Sequence, residues 1–142
     1  MAKKQEDDIK TQELQQKYAQ LQMYSQQAKQ LQQQIEAVHN QVIEVQTILF
    51  ALDDIAKTEP DTEVLVPLSS GIFVKAEIKD NKKLRVNVGG NTVVEKSVQE
   101  TKALLDRQLI ELNKAGEDLN ARNARISGEA EKLQFELQQL VS

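Results

Sequence analysis

The 142-residue sequence has no cysteine, no tryptophan, two prolines and five glycines, and aromatic residues make up 4% of it. Each scarcity removes a class of protein. Without cysteine there is no disulfide framework and no thiolate metal site. So few aromatics and turn formers do not build the broad core of an ordinary globule. Long helices with one narrow apolar stripe do have this composition, and such a stripe calls for partner chains. No apolar run is long enough to span a bilayer. The opening Met1-Ala2-Lys3-Lys4-Gln5-Glu6-Asp7-Asp8 carries no apolar signal segment, and no N-x-S/T sequon occurs. A cytoplasmic protein with no membrane association is the expectation. The net charge of -4 comes from interspersed acids and bases, without the clustered Lys and Arg of a nucleic-acid or anionic-membrane surface.

What is present is a heptad pattern at each end. One series runs Leu14, Leu21, Ala28, Ile35, Val42, Leu49, Ala56, with a companion at Lys17, Tyr24, Leu31, Val38, Val45, Leu52. The other runs Val98, Leu105, Leu112, Leu119, Ile126, Leu133, Leu140, with a companion at Leu109, Gly116, Asn123, Ala130, Leu137. Seven-residue spacing with companions three and four away is the seam of a coiled coil. The Gln-rich stretch from Gln12 to Gln34 keeps this stripe intact, so its glutamines read as exposed helix formers rather than an aggregation tract.

The chain divides into residues 1–61, an N-terminal coiled-coil helix, residues 62–96, two β-hairpins, and residues 97–142, a C-terminal coiled-coil helix. The first helix is expected from about residue 6 to 57, with Glu6, Asp7 and Asp8 at its positive end and Pro60 closing it. In the middle the period falls from seven to two. Ile72, Val74, Ala76 and Ile78 alternate with Phe73, Lys75, Glu77 and Lys79, and Leu84, Val86 and Val88 alternate with Lys83, Arg85 and Asn87. These are strands with one buried face. Val64–Leu68 and Thr92–Glu95 add two more. The breaks at Ser69-Ser70-Gly71, Asp80-Asn81-Lys82 and Gly89-Gly90-Asn91 have turn chemistry. Pro67 places its strand at an edge or bulge. Ser97-Val98-Gln99-Glu100 is a capping box that starts the last helix.

Folded back antiparallel, the two seams meet in one constant register, from Leu14 against Leu140 to Ala56 against Val98, with no stutter. Tyr24 then faces Ala130 and Val38 faces Gly116. Asn123, against Leu31, either fixes register or marks a weak, solvated layer. Gly116 marks the part of the shaft most prone to flex. Apolar residues off the seam cluster at both ends. Near the strands are Ile43, Ile48, Phe50, Ile55, Leu104 and Ile110, expected to pack on the sheet or on a partner subunit. Near the free tips are Ile9, Tyr18, Met23, Phe135 and Val141, read either as a binding surface or as ordinary scattered surface apolars. A four-stranded sheet this small has open edges and too little core, and joining sheets of several subunits into a closed barrel removes them. Oligomerisation is therefore expected.

Catalytic chemistry is not visible. His39 is a lone flanking histidine, Asp53-Asp54 reads as a solvated helix end, and Gly89-Gly90 is followed by no phosphate-loop pattern. Neither an enzyme nor a cofactor nor a metal site is expected.

The middle segment also carries a resemblance. Val64-Leu65-Val66-Pro67-Leu68-Ser69-Ser70-Gly71-Ile72-Phe73-Val74-Lys75-Ala76 and Val86-Asn87-Val88-Gly89-Gly90-Asn91-Thr92-Val93-Val94-Glu95-Lys96 resemble the two hairpins of the prefoldin alpha-subunit family. The long helices match that family in periodicity rather than in residues. The resemblance implies a mainly α fold with a small β region: a long antiparallel two-helix coiled coil whose helices are joined by two β-hairpins that assemble into an intersubunit β-barrel. It implies a cytosolic hexamer of two alpha and four beta prefoldin subunits. Such a hexamer captures unfolded polypeptide clients with its coiled-coil tips, without ATP, and passes them to a group II chaperonin. Oligomerisation would fall to Val64, Val66, Ile72, Val74, Ile78, Leu84, Val86, Val88, Val93 and Val94. Clients would meet Ile9, Tyr18, Met23, Phe135 and Val141, joined by Leu14, Leu21, Leu133, Leu137 and Leu140 where the tips fray. The alternative is a structural or filament-forming coiled-coil spacer.

Overall fold

The two heptad stretches form helices α1 (Ala2–Lys57) and α2 (Val98–Val141). Between them lie strands β1 (Glu63–Ser69), β2 (Ile72–Glu77), β3 (Lys83–Gly89) and β4 (Thr92–Ser97). The computed structural model describes residues 2–141. By contacts the chain divides into two compact units, one of Met1–Asn40 with Asn113–Ser142 and one of Gln41–Leu112. From Leu14 to Leu52, every α1 residue on the predicted seam is at least partly buried and every other α1 residue is exposed. Ala56, the last residue of the series, is exposed, and Ile55 is partly buried instead. α1 begins at Ala2 rather than near residue 6, and its first turn contains no acid. The physical reason is local: Lys3, Lys4 and Gln5 are good helix formers, so nothing stops the helix before Glu6.

In the first unit the N-terminal part of α1 packs antiparallel on the C-terminal part of α2. A Cβ built on Gly116 would lie 3.6 Å from Val38 Cγ1, which fixes the predicted layer. Lys17 sits on the seam opposite Leu137 by register, and its ammonium turns outward to Glu136 at 3.1 Å. A long amphipathic side chain can hold a seam position in this way while its charge stays solvated. Leu133 and Leu137 are the buried residues of this unit.

In the second unit Val45 and Leu52 of α1 and Val98 and Leu105 of α2 form a cluster, with Leu49, Leu84, Leu109 and Leu112 packed against it. Leu84 is the strand contribution. Lys102 of α2 pairs with Asp53 of α1 across the seam. Two polar side chains join the strands to the helices. Ser97 ends β4 and caps α2: its Oγ accepts from Glu100 N at 3.1 Å and donates to Glu100 Oε1 at 3.2 Å. The first half of the expected capping box is present. In the second half the Glu100 carboxylate takes the serine hydroxyl rather than the Ser97 N–H. Asn81, between β2 and β3, is buried, and its amide donates to Ile55 O at 3.0 Å and to Thr58 O. It therefore closes the carboxyl end of α1, where the last carbonyls of any helix lack intrahelical partners.

The strands form two separate two-stranded antiparallel sheets rather than one four-stranded sheet. In the first, Val64 pairs with Ala76 and Val66 with Val74, with a bulge between Pro67 and Ser69. The bond from Ile78 N to Thr62 O, 3.0 Å, extends this ladder past β2. In the second, Leu84 pairs with Lys96 and Val86 with Val94. Its turn is Gly90-Asn91, with φ of 57° and 60°. Two successive positive values are what a type I′ hairpin turn requires. The expectation of strands with one buried face is met only in part. Val64, Ile78, Leu84, Val86 and Val94 are partly buried, whereas Val66, Ile72, Val74, Val88 and Val93 are exposed. A two-stranded sheet carries no second layer of its own to cover its apolar face.

Two stability outcomes follow from these contacts. Gly116→Ala adds a methyl at ordinary contact distance from Val38 and removes the conformational cost of a helical glycine, so thermal unfolding should show stabilisation of about 1 kcal/mol. Asn81→Ala takes the side-chain donor from Thr58 O, while Ile55 O keeps the Thr58 N–H, and should cost about 1 kcal/mol in the same measurement; an unchanged midpoint would show that the cap is not needed.

Candidate functional site

Exposed apolar side chains lie on the strands, on the helix segments of the same unit, and at the chain-terminal ends of the helices in the other unit. In the first hairpin, residues directly opposite share a face, so Val64, Val66, Val74 and Ala76 lie together, with Ile72 in line with them. The other face carries Leu65 and Phe73, both exposed, among charged residues. There Lys75 pairs with Glu63 at 3.5 Å. Lys79, just beyond β2, reaches Glu77 at 3.0 Å and Asp61 at 3.2 Å. Both carboxylates raise the Lys79 pKa, Glu77 having the larger effect. In the second hairpin Leu84, Val86 and Val94 share a face, and Val88 follows the same alternation. Val93 lies on the opposite face with Arg85 and Glu95, which are 3.9 Å apart. Val93 thus stands apart from the other strand residues singled out for oligomerisation. Exposed ion pairs of this kind contribute little stability, and they leave the valine-rich faces uncovered. On the helices of this unit, Ile43, Ile48, Phe50 and Ile110 are exposed, while Ile55 and Leu104 are partly buried.

At the chain-terminal end of the other unit, Ile9, Tyr18, Met23, Phe135 and Val141 are all more than half exposed, Phe135 at 62% and Val141 at 69%. Their heptad positions distribute them around the helix pair. Tyr18 and Val141 lie on one flank of the seam, Ile9 and Met23 on the other, and Phe135 on the back of α2. Leu14, Leu21 and Leu140 are partly buried in the seam, and Leu137 is 5% exposed. Leu133 and Leu137 therefore reach an outside chain only when the two helices part.

The polar groups considered for chemistry have structural surroundings. Asp53 hydrogen-bonds Lys102, which holds its carboxyl below the usual carboxylate range. Such a pair helps the fold above the ordinary carboxylate pKa and loses its effect as the pH falls through the lowered value. His39 is exposed. Among the described residues there is no group of three or more His, Asp or Glu placed to hold a metal ion, and no helix is long and apolar enough to cross a membrane. Sequence reasoning missed the role of Asn81. Its only local signal was turn chemistry, and the carbonyls it caps lie some twenty-five residues earlier.

Two long helices around two hairpins have counterparts among known proteins. The family model for "Prefoldin subunit" matches residues 24–142. Prefoldin subunit alpha of Methanococcus aeolicus is 31% identical over 130 residues, 92% of this chain and 88% of that one. The chain belongs to the prefoldin family. Prefoldin subunit alpha of Thermofilum pendens is 39% identical over 89 residues, covering 60% of this chain and 69% of the relative. Two solved structures share the fold. The filamentous PFD from Methanocaldococcus jannaschii has a TM-score of 0.72 at 22% identity, over 81% of this chain and 95% of that one. The prefoldin beta subunit from Thermococcus strain KS-1 has a TM-score of 0.60 at 19% identity, over 89% and 90%. The two hairpins and the relatives named alpha identify this prefoldin as an alpha-type subunit.

Proposed function

We propose that this prefoldin chaperone subunit joins a second copy of itself and four beta-type subunits in a cytoplasmic hexamer. The hexamer holds unfolded polypeptides without ATP and hands them to a group II chaperonin. The observation that carries this reading is the uncovered apolar surface of the hairpins. Val66, Ile72, Val74 and Val88 are exposed in the isolated chain, and two-stranded sheets keep open edges. Closing hairpins of several subunits into a shared β-barrel covers those faces and removes the edges together. Residues 62–96 would then be the assembly element, and residues 1–61 and 97–142 the arms.

Client holding rests on the exposed residues at the arm ends. Tyr18, Met23, Phe135 and their neighbours surround the helix pair instead of forming one patch, so each arm offers several weak apolar contacts. Met adapts to varied partners. Several such arms on one platform raise the effective concentration, which makes capture tight while every single contact remains reversible. No step of this cycle draws on nucleotide chemistry.

A second reading is a spacer or filament-forming coiled coil, and the likeness of fold to the filamentous PFD favours it. One experiment addresses client holding directly. A hexamer whose alpha-type chains lack residues 1–13 and 134–142 should keep its mass but protect a denatured client from aggregation several-fold less well. Protection equal to that of the intact complex would reject the arm ends as the holding site.

A further inference from the structure

In the strand-bearing unit the apolar residues beside the helix seam fall on two flanks that differ in cover. On one flank Thr101 is buried and Ile55 and Leu104 are partly buried, with Ile48 exposed beyond them. Asn81 reaches the helix end there through Ile55 O. On the other flank Ile43, Phe50 and Ile110 are all exposed. Phe50, at 74%, is the most exposed large apolar side chain among the described residues.

The heptad positions bring these three residues together. Ile43 and Phe50 are seven residues apart, so they stand one above the other on α1, separated by roughly 10 Å along its axis. In the antiparallel register Ile110 of α2 lies at the level of Ile43, and the small, exposed Ala103 at the level of Phe50. Between these two columns run Gln46 of α1 and Asp106 of α2, both exposed. Two parallel columns of this kind, one from each helix, are the bed on which a third helix lies. Asp53, the other acid on this flank, is paired with Lys102. Asp106 has no ion-pair partner among the described residues. A molecule that covers the flank must therefore match that carboxylate or bear the cost of desolvating it.

We propose that this flank is a docking site for an amphipathic helix of another protein. That helix has two apolar side chains seven residues apart and a Lys or Arg on the turn between them. The apolar pair covers Ile43, Phe50 and Ile110, and the cation meets Asp106. Charge complementarity selects this occupant over a second copy of the chain. Two copies joined by the same flank about a two-fold axis would set one Asp106 against the other, because Asp106 lies at the middle of the patch. The inference concerns the strand-bearing unit and does not depend on client holding at the arm ends.

The test uses the assembled complex with beta-type subunits and two labelled helical peptides. One has Leu at two positions seven apart with Lys on the turn between them, and the other has Glu in place of that Lys. The intact complex should bind the Lys peptide about fivefold more tightly, the scale of one partly screened charge pair. Asp106→Lys should reverse that order, whereas Gln108→Lys, on the other flank, should leave it. Phe50→Ser should weaken the Lys peptide by about tenfold, the loss of one aromatic anchor, with the mass of the complex unchanged. A complex whose alpha-type chains lack residues 1–13 and 134–142 should keep the preference, which separates this docking from client holding. The proposal is overturned if the intact complex binds neither peptide, if Asp106→Lys leaves the order as it was, or if the preference disappears with the arm ends. A Phe50→Ser chain that no longer assembles also overturns it, since the flank is then covered by a subunit of the complex.

Discussion

A hairpin of two strands cannot bury its own apolar face, and the organisation of this chain depends on that constraint. Each of its two sheets has only two strands, and valine, leucine and isoleucine side chains on them remain open to solvent. A single helix cluster offers limited cover: Leu84 is the strand residue packed against it. The rest of the apolar strand surface has to be covered by another molecule or left wet. The two hairpins differ in this respect. The second has one valine-rich face and one face with Arg85 and Glu95. The first exposes apolar side chains on both faces, with Leu65 and Phe73 standing among Glu63, Lys75 and Glu77 opposite the side that holds Val66 and Val74.

The connections that hold the strands to the helices are polar and local. Ser97 belongs to both β4 and the cap of α2, so strand passes into helix without a loop. Asn81 closes α1 from the segment between the two hairpins. Neither device buries much hydrocarbon. Each satisfies backbone groups that would otherwise be left without partners at a helix end, which is the costlier failure in a partly buried place. The helix pairs, by contrast, are held by a stripe two residues wide. No side chain among the described residues is completely buried, as a two-helix seam always leaves solvent on both flanks. That thinness leaves the flanks to exposed side chains such as Tyr18, Ser25 and Glu129.

Much of the fold was legible in the sequence because it is periodic. The seven-residue repeat fixed the seam so closely that burial along α1 follows it from Leu14 to Leu52. The same repeat set the partner register found at Val38 and Gly116. The change to a two-residue period located β2 and β3, the short runs Val64–Leu68 and Thr92–Glu95 marked β1 and β4, and Gly89-Gly90-Asn91 marked the tight turn. What was not legible is non-local. The cap formed by Asn81 depends on where the chain returns after two strands. The division into two sheets depends on which strand edges meet. Val93 and Val94 look alike as neighbours in a strand yet point to opposite faces. For the candidate surfaces, exposure of Tyr18, Met23 and Phe135 follows from heptad position.

The mass of the assembly formed with a beta-type prefoldin subunit tests the central claim most directly. Native mass measurement of the mixed chains should give one closed species containing two copies of this chain and four of the partner, because only a closed arrangement covers every hairpin face. A stable monomer of this chain that ignores the partner, or homopolymers that lengthen without limit, would contradict it.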